Sequence, residues 1–431
     1  MTEPEIRSRH APPATGAAYP WIVVALGSLV FMTNYTDKTV MGVVAPRLVQ
    51  AMGINNLQLG VIFSAFGLTY TLLQPLLSWL TDVLGPRALV GGMVGWYGLF
   101  TIGSGLGTGN LATLTLMRAM TGAGEAASMP AATSGVARWL PEHHRGLAQG
   151  IMHGATRIGA ALTVPVTVAS IYAFGLTGPF WVFGLATLAI AVMWIAIYRD
   201  PLAGSRKHSV QEGGRVWHAI LRSRSLWALC LADFCYFYTL TIYITWLPTF
   251  LVQDRHFSLM KVGIYGFLPF LGGGLGGLVG GEVSDYFGTK TGNHRFWRRL
   301  VPTVGMVGSV ALLLPAVYST NQVATIALFT CSFFCLDATI SVFWAIAMDV
   351  GGDYASTTAG WMNTWANVGG IISPLVFGAL LQSSGNWSLP FLVASTLMLI
   401  GAALVWQIDP NDRIAPATQR PDTEERQNAT G

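Results

Sequence analysis

Five ionisable residues stand inside stretches otherwise fit for the interior of a membrane. They are Asp37 and Lys38 in NYTDKTVMG (Asn34–Gly42), Arg118 and Glu125 in MRAMTGAGEA (Met117–Ala126), and Arg157. Each costs about 2.5–3.5 kcal/mol at the centre of a spanning helix, so the set costs on the order of 12–17 kcal/mol before pairing. That exceeds the net stability of many proteins. The five must therefore pair, line a water-filled cavity, or both. Asp37 and Lys38 are helix neighbours and point about 100° apart, so they cannot share a face. One can face a cavity while the other contacts a second helix, or both can form salt bridges that tether helices. Arg118 and Glu125 lie two turns apart on nearly one face, about 10 Å along the axis. They are too distant to pair with each other, but both can face one cavity; alternatively Arg118 pairs with Asp37. Gly122 and Gly124 between them allow a neighbouring helix to come close. His153 and Arg157 share a face at a spacing of four. Arg157 either clamps a carboxylate with its planar fork or pairs with Glu125, and His153 reads as a hydrogen-bonded packing residue. Two carboxylates and three cations leave one positive charge, which suits an organic anion. A buried carboxylate beside them can carry a proton.

The elements that position these residues follow from hydropathy. Of 431 residues, 52% are hydrophobic and 10% charged, against roughly 25% charged in a soluble protein. The chain is expected to lie almost wholly in a bilayer as an all-α membrane protein. A span needs about 20 apolar residues. Twelve candidates lie near 20–46, 57–81, 88–108, 111–139, 146–173, 178–198, 226–251, 260–284, 298–318, 322–349, 356–383 and 388–408. The longest break, Arg199–Arg224, divides them six and six. The expected organisation is an N-terminal tail 1–18, a six-helix bundle 19–198, a linker 199–225, a second bundle 226–408 and a tail 409–431. With twelve spans both termini share a side. That side holds 18 of the 24 Lys and Arg residues, and the opposite side holds Arg47, Arg255 and Lys261. Both termini are therefore expected to be cytoplasmic. The halves also repeat: SWLTDVLG (Ser78–Gly85) parallels GEVSDYFG (Gly281–Gly288), and Pro179–Phe180 recurs as Pro390–Phe391. Duplicated six-helix halves are a transporter signature, with the substrate site between them near mid-membrane.

The aspartate-containing loop between the second and third spans, repeated between the eighth and ninth, resembles the signature of the major facilitator superfamily. NYTDK (Asn34–Lys38), MRAMTGAGEA, RWLPEHHRGLAQG (Arg138–Gly150), TWLPTFL (Thr245–Leu251) and the series Trp344, Asp349, Gly360, Asn363 resemble its anion:cation symporter branch. That branch includes hexuronate, galactonate and glucarate transporters and the vesicular glutamate carriers. The resemblance covers about residues 20–408. It implies two pseudo-symmetric six-helix bundles, a bacterial inner membrane, a monomer, and alternating access coupled to protons, with no other cofactor. It also implies proton coupling through Asp37 and Glu125, with Arg118 beside them, and anion binding at Lys38, where many relatives carry arginine. The pocket wall is expected from Tyr35, Tyr70 and Gln74, with Trp361, Asn363 and Asn367 from the eleventh span and Arg157 as a second cation. Aromatic walls with a few amides orient a small polar molecule. Asp82, Gly85 and Arg87 belong to the loop motif, with Asp285 and Gly288 in its second copy. There a carboxylate can hold a neighbouring helix end and release it, a gating role in which Arg138, Glu142 and Arg145 supply partners. Ser78 replaces the usual glycine of the first copy.

The expected activity is proton-coupled uptake of a small organic anion, either a sugar acid or an aromatic or short aliphatic carboxylate. A drug or metabolite exporter and a non-transporting sensor are the alternatives. Other features point elsewhere only on the surface. GGGLGGLVGG (Gly272–Gly281) lacks the ending of a phosphate loop and lies in a span, where small residues serve packing. His143–His144 is a poor metal site, and no metal is expected. Neither GxSxG nor HExxH occurs, so the chain is not expected to be an enzyme. NAT at Asn428–Thr430 fits a glycosylation pattern on a tail expected to be cytoplasmic, and the net charge of +4 does not suggest nucleic acid. Cys230, Cys235, Cys331 and Cys335 match no zinc or redox spacing and are expected to be buried small hydrophobes. Asp233 and Asp337 are intramembrane residues without an assigned role.

Overall fold

Helix ends in this chain are written by asparagine, proline and glycine. Asn55 accepts a hydrogen bond from the Gln58 amide at 2.8 Å while the Gln58 side chain accepts from the Asn55 amide at 2.9 Å. This reciprocal cap satisfies two donors that a helix start leaves open. Asn110, Asn293 and Asn321 also accept from amides in the first turns of their helices. Pro20, Pro86, Pro179 and Pro248 occupy first turns, where a missing N–H costs nothing. At the other ends, Gly53 takes a left-handed conformation at φ 62° that a side chain would strain.

The computed structural model describes residues 18–140, 142–200, 218–351 and 355–409. Its helices are α1 (Tyr19–Met52), α2 (Asn56–Leu84), α3 (Pro86–Leu106), α4 (Leu111–Ala137), α5 (Glu142–Phe174) and α6 (Gly178–Ile197). They continue with α7 (Arg224–Thr245), α8 (Leu247–Gln253), α9 (Leu259–Tyr265), α10 (Leu268–Thr291) and α11 (His294–Tyr318). The series ends with α12 (Gln322–Asp337), α13 (Ile340–Gly351), α14 (Ala355–Ser384) and α15 (Ser388–Val405). No strand occurs among the described residues. The twelve expected spans are all present, but three are broken: the seventh into α7 and α8, the eighth into α9 and α10, the tenth into α12 and α13. All three breaks fall in the second half. Counting the two parts of the eighth and tenth together, ten spans among the described residues are long and apolar enough to cross a membrane. The two that fall short, α1 and α4, carry Asp37, Lys38, Arg118 and Glu125. The chain is an integral multi-pass membrane protein. Parts of the expected tails and of the linker lie outside the described residues.

Contacts divide the chain into two units, Met1–Ser205 with Thr241–Leu271 and Ile371–Trp387, and Arg206–Leu240 with Gly272–Gly370 and Ser388–Gly431. In the first unit a core of Val24, Phe31, Val94, Tyr97, Ala131 and Trp194 joins α1, α3, α4 and α6. Short second-half segments close against this bundle. Gly42 of α1 has no side chain to keep it off the Ile244 carbonyl, and Gly60 of α2 likewise meets the Pro374 carbonyl. The Ser64 hydroxyl donates to the Ile371 carbonyl at 2.8 Å, and Trp246 stacks on Phe377 at 4.6 Å.

In the second unit Gly276 and Gly280 of α10 lie directly against the carbonyls of Phe334 and Ala338. The glycine-rich run thus serves close helix packing, as expected. The cysteines are free thiols. Cys230 and Cys235 are buried and Cys335 is half-buried, but Cys331 is exposed on the outer side of α12, contrary to expectation. An apolar helix face in a membrane can present a thiol to lipid as readily as to a core.

Close backbone approach makes a testable contrast. Gly280→Val is expected to destabilise the protein by about 1–3 kcal/mol, because the branched side chain has no space beside the Ala338 carbonyl. Gly92→Ala, where an added methyl meets nothing within 4 Å, should be neutral or stabilise by up to about 1 kcal/mol. Unfolding in detergent, followed by tryptophan fluorescence, separates the two.

Candidate functional site

The adjacent residues of α1 take their partners from opposite ends of one stretch of α4. The Arg118 Nη1 donates to Asp37 Oδ2 at 2.6 Å, and the Thr101 hydroxyl of α3 donates to Asp37 Oδ1 at 2.8 Å. Both Asp37 and Arg118 are buried. Donors on both of its oxygens tie Asp37 to α3 and α4, so that it joins α1, α3 and α4. Lys38 points the other way. Its Nζ lies 3.7 Å from Glu125 Oε2 and donates to Asn34 Oδ1 at 2.9 Å, one turn back. Asn34 in turn donates to the Ser128 hydroxyl at 2.8 Å, and Ser128 donates to the Glu125 carbonyl at 2.7 Å. The seven-residue spacing on α4 and the 100° between α1 neighbours fit together: each separation answers the other. Gly122 lets α4 approach the Phe66 carbonyl of α2, and Gly124 lets it approach Tyr97 of α3.

Three rings enclose the Lys38 ammonium. Their centroids lie 4.7 Å away for Tyr70, 5.1 Å for Tyr35 and 5.5 Å for Phe66. Ring faces attract a cation without neutralising it. The Lys38 side chain remains 20% exposed while Glu125 is 0% exposed, so Lys38 is the more accessible member of the pair. The Arg157 guanidinium of α5 lies 5.2 Å from the same Tyr35 ring. Two cations therefore flank one tyrosine. Gln74 lies one turn beyond Tyr70 and is half-buried. His153 packs edge-on against Phe31 at 5.2 Å.

Of the open alternatives, Arg118 pairs with Asp37, and Glu125 pairs with Lys38. Asp37 and Glu125, expected to act alike, have different surroundings. Asp37 is fixed by two strong donors, whereas Glu125 faces one ammonium at a longer distance. Phe66 and Thr101 were not among the expected residues. Phe66 carries no signal beyond its size, and a threonine in a span is ordinarily bonded to its own helix.

The eleventh-span residues belong to the second unit. Trp361 packs edge to face against Trp227 at 5.8 Å and against Trp365 at 6.2 Å, forming a cluster of three indoles. Asn367 donates to the Asn363 carbonyl at 2.8 Å, one turn back along α14.

The loop-motif residues form two different arrangements. In the first copy Gly85 turns the chain between α2 and α3 at φ 82°, beside the Asp200 carboxylate. Arg87 does not meet a carboxylate: its Nε and Nη2 donate to the Ile195 carbonyl near the end of α6, at 3.1 and 2.9 Å. Cations suit that helix end. Arg138 pairs with Asp200 at 3.8 Å. In the second copy one arginine gathers the polar groups. Arg298 lies 2.9 Å from Asp285 and 3.2 Å from Asp349, and donates to the Ser284 hydroxyl at 3.3 Å. Gly288 abuts the His294 ring. Asp200 was missed because it stands in a charged loop, and Arg298 because it is one of several basic residues near the start of α11, both outside the repeated octapeptide. The side chains of Ser78, Asp82, Glu142, His143, His144 and Arg145 lie outside the described set.

Residues 27–374 match the sequence pattern of the Major Facilitator Superfamily. The chain belongs to that family. It is 32% identical to a probable sulfoacetate transporter of Cupriavidus necator over 405 residues, covering 90% of this chain and 94% of that protein. It is 26% identical to a probable galactarate/D-glucarate transporter of Bacillus subtilis, covering 94% and 95%. A hexuronate transporter of the same organism is 27% identical, covering 86% and 90%. These relatives agree with the anion:cation symporter branch. The crystal structure of a bacterial homolog of the human lysosomal transporter Spinster superposes with a TM-score of 0.78. It is 18% identical and covers 94% of this chain and 100% of that one. The fold is thus that of a twelve-helix, two-bundle transporter, and the protein is a transporter rather than an enzyme.

Removing one member of a buried ion pair leaves the other uncompensated. Arg118→Leu is expected to cost about 3–5 kcal/mol, and adding Asp37→Asn to recover much of it. A thermal-unfolding cycle over the four proteins in detergent checks this. Equal and additive losses would show that the two residues stabilise independently.

Proposed function

We propose that the chain imports a small organic anion together with protons, across a bacterial inner membrane with both termini cytoplasmic. One observation carries the reading. An accessible lysine, ringed by aromatic faces, is balanced by a fully buried glutamate at 3.7 Å. That pair can be opened from either side. A proton on Glu125 removes its hold on Lys38 and frees the ammonium for an anion. An anion at Lys38 takes over the ammonium and favours a proton on Glu125. Each ligand thereby raises affinity for the other, and by linkage the two effects are equal. Co-transport needs that property.

The roles divide accordingly. Lys38 binds the anion and Glu125 carries the proton, while Asn34 and Ser128 hold the two in register. Asp37, Arg118 and Thr101 are the fixed frame beneath them. Arg157, near the same Tyr35 ring, supplies a forked donor for a second acidic group. Sulfoacetate, galactarate and glucarate, the compounds named for two of the three relatives, each carry two acidic groups, whereas a hexuronate, named for the third, carries one. A substrate with an anionic group at each end fits two cations about one tyrosine better than an aromatic monocarboxylate does. Tyr35, Tyr70 and Gln74 orient it, and Trp361, Asn363 and Asn367 are the second half's candidates for contact. The two arginine-centred loop arrangements serve the opening and closing of access.

Uptake into liposomes holding the purified protein tests this, with sulfoacetate, galactarate and glucuronate as probes. An imposed pH gradient, acidic outside, should drive accumulation of at least one. Glu125→Gln should abolish that accumulation but retain exchange of labelled for unlabelled anion. Lys38→Ala should weaken binding of the anion at least about tenfold. Accumulation undiminished in Glu125→Gln, or efflux without uptake, would overturn the reading.

A further inference from the structure

Helix α5 and the eighth span touch at one end and part towards the middle. Gly263 of α9 lies against Val168 of α5, and Gly266 against Val164, so the two run antiparallel in close contact. Nearer mid-span they separate. Ile158, Ala161, Leu162 and Pro165 of α5, with Phe267 and Leu271 of the eighth span, line a groove of about 260 Å³ there. All six belong to the first unit, and all are apolar. Ile158, Leu162 and Leu271 are exposed. An empty groove forfeits dispersion contacts along its walls, and in a bilayer a flexible hydrocarbon chain can restore them.

A cation stands at the head of the same face. Counting back from Leu271, Leu268, Tyr265, Ile264 and Lys261 follow at steps of three and four, which places them on one side of the span. The Gly266 amide donates to the Val262 carbonyl at 2.7 Å and the Leu271 amide to the Phe267 carbonyl at 3.1 Å, so the chain keeps its helical course past the break. Lys261, Ile264 and Tyr265 are exposed. Ten residues of helix rise about 15 Å, half of a hydrocarbon core about 30 Å thick. An ammonium belongs at the bilayer surface. With Lys261 there, the groove lies one leaflet's depth below it. On α5, Tyr172 is exposed one turn beyond Val168, near the level of Lys261. Tyrosines are enriched where a membrane meets water, with the ring in the headgroup region.

We propose that this face binds an anionic phospholipid from the leaflet away from the termini. Its phosphate meets Lys261 and Tyr172, and one acyl chain runs past Tyr265 and Leu268 into the groove. The length agrees, because one chain spans about one leaflet, the distance from Lys261 to Leu271. The charge agrees as well, since a cation at the surface attracts anionic lipid. Arg255, the neighbouring cation on this side, has Asp254 at 3.2 Å. Ala161 of the groove lies one turn from Arg157 on the same face of α5. The bound chain therefore lies beside the stretch that carries the second cation of the candidate site.

Native mass spectrometry of the full chain tests this, in separate titrations with dioleoylphosphatidylglycerol and dioleoylphosphatidylcholine. The unaltered protein should hold one phosphatidylglycerol about fivefold more tightly than phosphatidylcholine, the equivalent of about 1 kcal/mol for one lysine. Lys261→Gln should make the two lipids equal. Arg47→Gln, which removes another exposed cation from the same side, should leave the preference intact. Leu162→Trp fills the groove from an exposed position and should weaken both lipids. Equal affinity in the unaltered protein, a preference that survives Lys261→Gln, or binding unchanged in Leu162→Trp would overturn the proposal. So would a dimer free of lipid, which would show that a second copy covers the face. Transport plays no part in these readings, so their outcome is independent of the function proposed above.

Discussion

A charge in hydrocarbon has to be answered by another charge, and that requirement organises the first half of this protein. Asp37 and Lys38 are adjacent in sequence, so their side chains diverge, and no single contact can serve both. Helix α4 answers with an arginine and a glutamate two turns apart, and its glycines bring it close enough to α2 and α3 for the contacts to form. Thr101 completes one pair and Asn34 the other. The packing of α1, α2, α3 and α4 can thus be read as the means of bringing four charges into two pairs. Their surroundings then separate a tight pair that holds the frame from a looser one that can open. The proposed function rests on that difference. A site in which every charge were as firmly bonded as Asp37 would have nothing to exchange with a substrate.

Much of this was legible in the sequence, for reasons that can be named. Ten of the twelve spans follow from hydropathy, because a bilayer demands a length of apolar helix and leaves little freedom, while α1 and α4 are diluted by the polar residues they carry. The charged set was legible because its cost made it impossible to ignore. Its pairing was not, since the sequence gives angles along one helix but not the rotation of the next. Phe66 of the Lys38 enclosure was invisible for a simpler reason: an aromatic residue in a membrane helix looks the same whether it covers a cation or a lipid. The broken spans divide instructively. Pro248 and Pro269 stand just inside the second pieces of the seventh and eighth spans, where proline marks a helix start. The tenth span breaks at Asp337 with no such residue, and hydropathy runs through it without a dip. Arg298, which gathers two carboxylates, was overlooked because it is one of three arginines near the start of α11, on the side expected to be cytoplasmic, where basic residues are ordinary.

The two halves, alike in sequence rhythm, treat buried acids differently. The first half compensates its carboxylates with lysine and arginine. The second places Asp337 against a tyrosine hydroxyl and a helix end, with Asp233 one turn from that tyrosine. Cation-balanced carboxylates can respond to an anion, because the anion competes for the same cation. Duplication supplied the frame, and the charges placed within it distinguish the two halves.

The central claim is that anion and proton meet at the Lys38–Glu125 pair. The most direct measurement is of protons bound or released when an anion binds to the purified protein in weakly buffered detergent solution, followed with a pH indicator. The account predicts that binding of a relative's substrate such as sulfoacetate draws protons onto the protein, and that Glu125→Gln takes up fewer. Binding with no proton uptake at any pH, or uptake unchanged in that variant, would contradict it.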